Sequence, residues 1–354
     1  MFYSFSYTFT FLFTTLLFTS SSSSHIASQP ATKIFITNHN IQSFTNAGKG
    51  NIITGISQFK TYLSRFGYLI NNKPFSDQFD ESFESALIKY QRNLGLQVTG
   101  KLDSNTLSQM ITPRCGVPDT TKSRRSHRKN HIHNTTHFVY FPGKPRWSRD
   151  NDMPITLTYS FSREYMIHSL SLQEIRKTFK RAFSKWSIVI PVNFVESKDY
   201  SFADIKIGFY SGEHGDGEPF DGVLGVLAHS FSPEIGRLHL DAAETWAVDF
   251  GVTKSEVAVD LESVATHEIG HLLGLSHSSV KEAVMYPSLR PRDKRGDLNI
   301  DDIKGVQSLY GCNPNFRSQW SLESDSSTNH GAKFGVDTFR LSMIGFTIVI
   351  ALFM

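Results

Sequence analysis

Three histidines and one glutamate lie close together in the last third of the chain, at a spacing that suits one metal ion. In a helix, His267 and His271 would lie on the same face, one turn apart. Glu268 could then take a proton from water on the open side of the metal. Gly274 can end the helix, so that the chain returns His277 as a third ligand. Three neutral histidines leave a fourth position open, as in catalytic zinc sites.

The alternative to a zinc site is a buried amphipathic helix that carries histidines by coincidence. Leu272, Leu273 and Leu275 would form the core stripe of such a helix. This alternative explains the leucines but not the fixed spacing of three histidines, a glutamate and a glycine. The spacing therefore favours a catalytic zinc over a structural core alone.

Length and composition exclude several classes of protein. The chain has 354 residues, a formal net charge of +3 and two cysteines. This length predicts about two domains with ample sequence for a core. The net charge is too small to indicate a nucleic-acid partner, and two cysteines exclude a disulfide-rich scaffold.

Two regions have the periodicity of elements that would position these side chains. Between Ile56 and Met110, apolar residues at helical spacing predict a small helical domain in which Asp103 caps the last helix. Helices and strands are both predicted downstream. The helices are Ser171–Ser187 and a last one from Asn299 to Gly311, and the strands are Val192–Val195 and Ala203–Phe209.

A second group of ligand types precedes the zinc helix: His214, Asp216, His229 and His239. Three histidines and one aspartate make a closed tetrahedral set, which suits a structural zinc. Ligands scattered over this many residues do not by themselves establish a metal site.

Three carboxylates in the same region indicate a second kind of cation. Asp221, Asp241 and Glu244 offer hard oxygen ligands, which calcium prefers. The alternative is a solvated acidic loop without a metal.

Cys115 is placed well before both groups of ligands. A cysteine thiolate is a strong soft ligand for zinc, so Cys115 could occupy the open metal position and displace water. The alternative is a disulfide with Cys312, which a secretory route would permit. A disulfide would leave a good zinc ligand unused.

Both ends of the chain and one internal run are typical of processing signals. Residues 1–24 predict a secretory signal peptide, with a membrane anchor as the alternative. The basic run Lys122–Lys129 predicts a linker, with proteolytic cleavage after Arg128 and an N-glycosylation site at Asn134. The apolar residues 341–354 suit a GPI-attachment signal, with a tail anchor as the alternative.

Several motifs resemble those of matrix metalloproteinases. They are the zinc motif His267–His277, a methionine turn in Ala283–Pro287, the cysteine-switch motif Pro113–Asp119, and a domain opening in Phe141–Trp147 with a first strand at Ile155–Ser160. The helical segment is similar to the peptidoglycan-binding-like module of their propeptides. The whole resembles a plant-type matrixin without a hemopexin domain.

The resemblance implies a role for each motif. Cys115 would hold a latent enzyme, with Arg114 and Asp119 paired to fix the loop, and Met285 would form the apolar floor beneath the imidazoles. It also assigns the structural zinc to His214, Asp216, His229 and His239. The backbone carbonyls of Gly222, Leu224 and Val226 would complete the calcium site.

The implied fold class is α+β. A metzincin catalytic domain, with a twisted mixed five-stranded sheet and three helices, would follow a small all-α propeptide domain. The predicted parts are a signal peptide (1–24), a polar lead-in (25–55), a propeptide (56–119), a basic activation linker (120–138), a catalytic domain (139–312), a polar stalk (313–340) and a GPI-type signal (341–354).

The implied function is that of a secreted, zinc-dependent metalloendopeptidase with Glu268 as general base. Its substrates would be extended peptides of extracellular proteins, paired with the sheet edge, with an apolar side chain in a pocket beneath Met285 and Leu289. Its partners would be an activating protease and, through a GPI anchor, the outer face of the plasma membrane; we expect a monomer in the matrix or apoplast. The alternative is a catalytically silent surface or wall-binding protein that uses the helical module.

Overall fold

The computed structural model of the protein describes residues 41–70, 74–120, 137–148 and 155–317. Several predicted features lie outside these ranges: the signal peptide at 1–24, Arg128, Asn134, and the GPI-type signal at 341–354. Within the described ranges, no helix has the length and apolar composition needed to cross a bilayer.

Four helices form the N-terminal part of the described chain: α1 (Ile41–Thr45), α2 (Ile56–Arg65), α3 (Glu81–Asn93) and α4 (Ser104–Ile111). The predicted cap is confirmed, because the Asp103 side chain accepts a hydrogen bond from the backbone N–H of Thr106. This helical unit begins earlier than the predicted lead-in allows. Phe44 is buried, and its ring lies 5.0 Å from that of Phe59, so apolar packing draws α1 into the same core.

A six-stranded mixed sheet forms the centre of the larger part, in the order β1-β5-β6-β4-β2-β3. Its strands are β1 (Arg114–Cys115), β2 (Ile155–Phe161), β3 (Val192–Glu196), β4 (Ile205–Tyr210), β5 (Val226–Ser230) and β6 (Arg237–Asp241). Only β5 and β6 pair antiparallel. Five strands come from the predicted catalytic domain, which confirms the mixed α+β fold. The sixth, β1, comes from the propeptide segment and pairs parallel with β5.

One long helix covers the sheet and supports the zinc motif. This helix, α5 (Leu172–Val189), begins at a capping box of Ser171 and Glu174. Its buried Trp186 donates an indole hydrogen bond of 2.9 Å to the carbonyl of Thr266. The zinc motif therefore rests on a helix fixed by both packing and a buried hydrogen bond.

The remaining elements frame the zinc motif. They are a short two-stranded sheet of β7 (Trp246–Ala247) and β8 (Val259–Asp260), followed by α6 (Leu261–Leu272) and α7 (Ile300–Tyr310). The Asp260 side chain caps α6 by accepting from the N–H of Ser263. After α6, Gly274 has φ 101°, the left-handed turn that the sequence predicts. A β-carbon at Gly274 would also lie 2.2 Å from the carbonyl oxygen of Pro145, so the turn requires glycine.

Candidate functional site

The zinc motif and Cys115 converge on one buried point. His267 and His271 lie on successive turns of α6, and the turn at Gly274 returns His277 to the same place. Cys115 reaches it from β1, with its sulfur 3.4 Å from Nε2 of His271. The four ligand atoms all lie within 4.8 Å of one another. Such a set of nitrogens and one sulfur has the composition of a tetrahedral zinc site.

Hydrogen bonds fix the orientation of each imidazole. In every case Nδ1–H is the donor: His267 to the carbonyl of Val284 at 2.7 Å, His271 to the carbonyl of Leu275 at 2.8 Å, and His277 to Oδ1 of Asp119 at 2.6 Å. These donations select the tautomer that leaves Nε2 free as a metal ligand.

Burial keeps the three imidazoles neutral. It lowers the pKa of His267 and His271, and each of them is lowered further by a neighbouring histidine. Burial also lowers the pKa of His277, although the nearby Asp119 acts in the opposite direction. Since only a neutral imidazole binds a metal, these pKa shifts favour ligation at neutral pH.

Two buried groups in the site lack a hydrogen-bond partner within the described ranges. His267 Nε2 and both carboxylate oxygens of Glu268 are buried without a hydrogen bond among the described residues. Burial raises the pKa of Glu268 to about 7 and, with help from the charge of Glu268, also raises the pKa of the Cys115 thiol. A cation at the centre would satisfy the orphaned nitrogen and stabilise a thiolate, so the residues present fit zinc.

Met285 lies beneath the zinc helix, as the methionine-turn resemblance implies. A β-carbon at Gly270 would lie 2.2 Å from the Met285 sulfur, so the thioether packs directly against α6. The turn itself is fixed from below. Asp302 of α7 accepts the backbone N–H of Val284 at 2.8 Å and that of Met285 at 3.0 Å.

The segment around Cys115 is fixed by a buried ion pair. Arg114 Nη2 lies 2.5 Å from Oδ1 of Asp119, and both side chains are almost completely buried. The Arg114 guanidinium also stacks 3.6 Å from the ring centroid of Phe66. Although burial alone would raise it, Arg114 and His277 hold the pKa of Asp119 well below its usual range. The carboxylate is therefore ionised throughout the neutral range.

The structure also brings together the second group of ligand types. One oxygen of Asp216 lies 2.7–2.8 Å from a ring nitrogen of each of three histidines: His214, His229 and His239. The four ligand atoms lie within 4.8 Å of one another. This closed set has no room for a catalytic water, so it fits a structural metal.

The predicted calcium residues come from the loop before β5, the start of β5, and the end of β6 with the turn after it. They do not form a third cluster of this kind among the described residues. Backbone N–H groups bind the carboxylates: Gly222 to Asp241, Leu224 to Glu244, and Val226 to Asp221, at 2.7–3.0 Å. Burial raises the pKa of Asp241 to about 6 and that of Glu244 to about 7. One Glu244 oxygen is buried and has no hydrogen-bond partner in the described part of the chain, which is what a cation site would leave.

A small cavity of about 20 Å³, enough for about one water molecule, lies beside Cys115 and Glu268. Leu289 lines it, as predicted, but Met285 does not, because its side chain packs under α6 instead. Arg295 also lines it: its backbone N–H donates to the Ser263 hydroxyl, and its Nη1 donates to the carbonyl of Ser288 at 2.7 Å. The resemblance implies that the run Pro287–Asp297 forms the pocket wall, but no local pattern singles out this arginine within the run.

Both cysteines are free, Cys115 buried and Cys312 exposed, so the alternative disulfide is not formed.

Two family models match the chain. The matrixin model matches residues 146–311, and a peptidoglycan binding domain model matches residues 54–110. The first range covers strands β2 to β8 with α5, α6 and α7, and the second covers α2 and α3 with most of α4.

Curated proteins similar to the chain are proteases. The metalloendoproteinase 4-MMP of Arabidopsis thaliana is 60% identical over 274 residues, which cover 77% of this chain and 78% of the relative. Metalloendoproteinase 1 of Glycine max is 45% identical, over 77% of this chain and 87% of its own. Human neutrophil collagenase is 39% identical, over 72% of this chain and 50% of its own.

Proposed function

Because the chain belongs to the matrixin family of zinc metalloendopeptidases, we propose that it is made as a latent, secreted zymogen held inactive by Cys115. One observation carries this proposal: the Cys115 sulfur lies within 4.8 Å of the ligand nitrogens of His267, His271 and His277, so that all four could bind one ion. A thiolate there would occupy the position that a catalytic water needs. The signal peptide predicted for residues 1–24 would place the protein outside the cell.

Zinc, when bound, would polarise the peptide carbonyl and acidify a water in the open position. Glu268 follows His267 directly and reaches the same side of the site. Its carboxylate would take a proton from that water and return it to the leaving amine. His267, His271 and His277 hold the ion and move no proton in this scheme.

We place the substrate along the edge strand β5. In the zymogen, β1 pairs with β5, so the propeptide covers the hydrogen-bonding groups that an extended peptide would use. Removing the propeptide would free that edge and expose the cavity next to Glu268. The substrate class is accordingly an extended segment of an extracellular protein.

Activation would follow cleavage in the basic linker, with Arg128 as the proposed site for an activating protease. The same proposal includes glycosylation at Asn134 and a GPI anchor added through residues 341–354. The enzyme would then act as a monomer at the outer face of the plasma membrane or in the surrounding matrix.

Two further metals would brace the loops beside the cleft. His214, Asp216, His229 and His239 would hold a structural zinc, which the convergence of three imidazoles on Asp216 supports. Asp221, Asp241 and Glu244 would hold calcium, which the raised pKa values of Asp241 and Glu244 support.

The test is hydrolysis of a quenched fluorescent peptide after the linker has been cut. We expect activity that a zinc chelator abolishes. Glu268→Ala should lower kcat by about 10²- to 10⁴-fold, because it removes the general base, while the zinc content measured on the same sample stays unchanged. Activity that survives chelation, or an undiminished kcat in Glu268→Ala, would instead refute the mechanism.

A further inference from the structure

The three zinc-site histidines differ in the part of the chain that orients them. Two donate their Nδ1–H to backbone carbonyls of the predicted catalytic domain: His267 to Val284 and His271 to Leu275. The third, His277, donates its Nδ1–H to a carboxylate of the switch segment, Oδ1 of Asp119, at 2.6 Å. The sequence separation between the two residues is 158, and the basic linker lies between them. One ligand is therefore oriented by a group that departs with the propeptide.

Asp119 is fixed for this contact by other propeptide residues. Its Oδ1 is paired with Arg114, and its Oδ2 accepts the hydroxyl of Tyr68 at 2.8 Å. The Tyr68 oxygen in turn accepts an amide hydrogen of Asn93 at 2.9 Å. Asp119, Arg114 and Tyr68 are all buried. The carboxylate therefore stays on His277 for as long as the propeptide stays docked.

We propose that Asp119 is a positioning residue for the metal: it holds His277 in the ligating orientation, so that the uncut zymogen retains zinc more firmly than the mature enzyme does. This inference rests on the proposed latent zymogen. A carboxylate on the distal nitrogen fixes the tautomer of a ligating histidine and makes the imidazole a stronger ligand. Removing such a partner typically weakens metal affinity by about 10- to 100-fold.

The propeptide then has two separable contacts with the metal site. Cys115 supplies a fourth ligand directly, and Asp119 acts through His277. Cutting the linker would open a coordination position and also release the third histidine from its carboxylate. Zinc would be acquired in the latent form and held less firmly by the active one.

The experiment measures zinc loss from the full-length uncut protein to the chromophoric chelator 4-(2-pyridylazo)resorcinol. Cys115→Ser is compared with Cys115→Ser/Asp119→Asn, so that the thiolate contributes to neither rate. We expect the double variant to lose zinc about tenfold faster or more, and to approach the rate of the cut enzyme. Because the protein has two proposed zinc sites, zinc loss can have two kinetic phases. The phase of this site is the one that is missing in His271→Ala. Equal rates in the two proteins would overturn the proposal.

A matched control separates the His277 contact from loosened docking. Arg114→Gln also breaks the buried ion pair but leaves Asp119 beside His277. Docking is followed in the same samples by hydrogen exchange of the Arg114 and Gly116 amides, which donate to Gly225 and Ala228. We expect fast zinc loss only in the Asp119 variant, with these amides still protected. Equally fast loss in both variants, or fast loss only where protection is gone, would contradict the proposal.

A different result is expected if the latent-zymogen proposal is wrong. In that case the uncut wild-type protein and uncut Cys115→Ser would hydrolyse peptide at the same rate. The comparison of zinc loss between Cys115→Ser and its Asp119→Asn derivative does not depend on that result.

Discussion

At the residue scale, the zinc site is defined by buried polar atoms that need a cation. His267 Nε2 and the Glu268 oxygens have no partner among the described residues, and leaving such atoms unsatisfied is costly in a protein interior. The hydrogen bonds on the opposite ring nitrogens fix where the free ones point. The geometry is thus set by side chains that already face the metal position.

The contact between Gly270 and Met285 leads to a prediction about stability. A β-carbon at Gly270 would lie 2.2 Å from the Met285 sulfur and 3.0 Å from the Trp186 ring. We expect Gly270→Ala to lower the free energy of unfolding by about 1–3 kcal/mol, because a packed interior has no room for the methyl group. Urea unfolding of the full-length protein measures this.

The matched control is Gly48→Ala, whose β-carbon would meet nothing closer than 3.7 Å. Its free energy of unfolding should change by no more than about 0.5 kcal/mol. Equal effects of the two substitutions would disprove the packing argument.

Arg295 leads to a prediction about specificity. It lines the cavity together with Leu227, Val264 and Leu289. A long substrate side chain that ends in an oxygen, such as glutamine, could accept a hydrogen bond from the Arg295 guanidinium. A hydrogen bond to a charged group contributes about 1.5–3 kcal/mol. We expect Arg295→Leu to lower the preference for glutamine over leucine in the pocket by about tenfold or more.

Competing peptides that differ only at the side chain entering the pocket would measure this ratio as kcat/KM. Arg295→Lys is the control, since it keeps the charge and should keep most of the preference. An unchanged ratio in Arg295→Leu would mean that the guanidinium does not face the substrate.

At the scale of elements, the end of β6 and the turn after it place two carboxylates, Asp241 and Glu244, against the loop before β5. Asp241 and Glu244 accept backbone N–H groups from this loop, yet burial still raises their pKa values to about 6 and about 7. Both values lie above the ordinary side-chain pKa values of aspartate and glutamate, 3.8 and 4.5. Ionising them in the folded state therefore costs stability unless a cation is bound.

This charge makes the effect of calcium depend on pH. Without calcium, the stabilising contribution of the neutral carboxylates is present at low pH and is lost as the pH rises to about 7, through the folded pKa values. Calcium needs the ionised forms, so its binding should strengthen over the same window. We expect calcium to raise the Tm more at pH 7.5 than at pH 5.5. Thermal melts with calcium or with a chelator measure this, and an equal gain at both pH values would contradict it.

Local sequence patterns predicted the elements that depend on local physics. The period of α5, the cap at Asp103 and the turn at Gly274 all follow from neighbouring residues. The strand β1 could not be predicted, because it has only two residues and its pairing partner β5 lies about 110 positions away. For the same reason, no pattern indicated that Asp119 meets His277: the contact exists only once both parts have folded together.

At the scale of the whole molecule, the helical unit is packed onto the cleft as well as tethered to it. Its core continues into Phe220, Val226 and Tyr286 of the larger part. Gln109 of α4 donates to the Ser288 hydroxyl at 2.7 Å, and Arg65 of α2 donates to the carbonyl of Pro219 at 3.2 Å. In the proposed zymogen, activation would therefore require the propeptide to dissociate after the linker is cut.

The most direct test of latency is peptide hydrolysis by uncut Cys115→Ser compared with the uncut wild-type protein. Serine keeps the shape of the switch but is a poor zinc ligand, so water should enter the fourth position in a fraction of molecules. We predict chelator-sensitive hydrolysis by the uncut variant and almost none by the uncut wild type, with equal rates once both are cut. An uncut variant as silent as the wild type, although fully active after cutting, would show that Cys115 does not hold the enzyme latent.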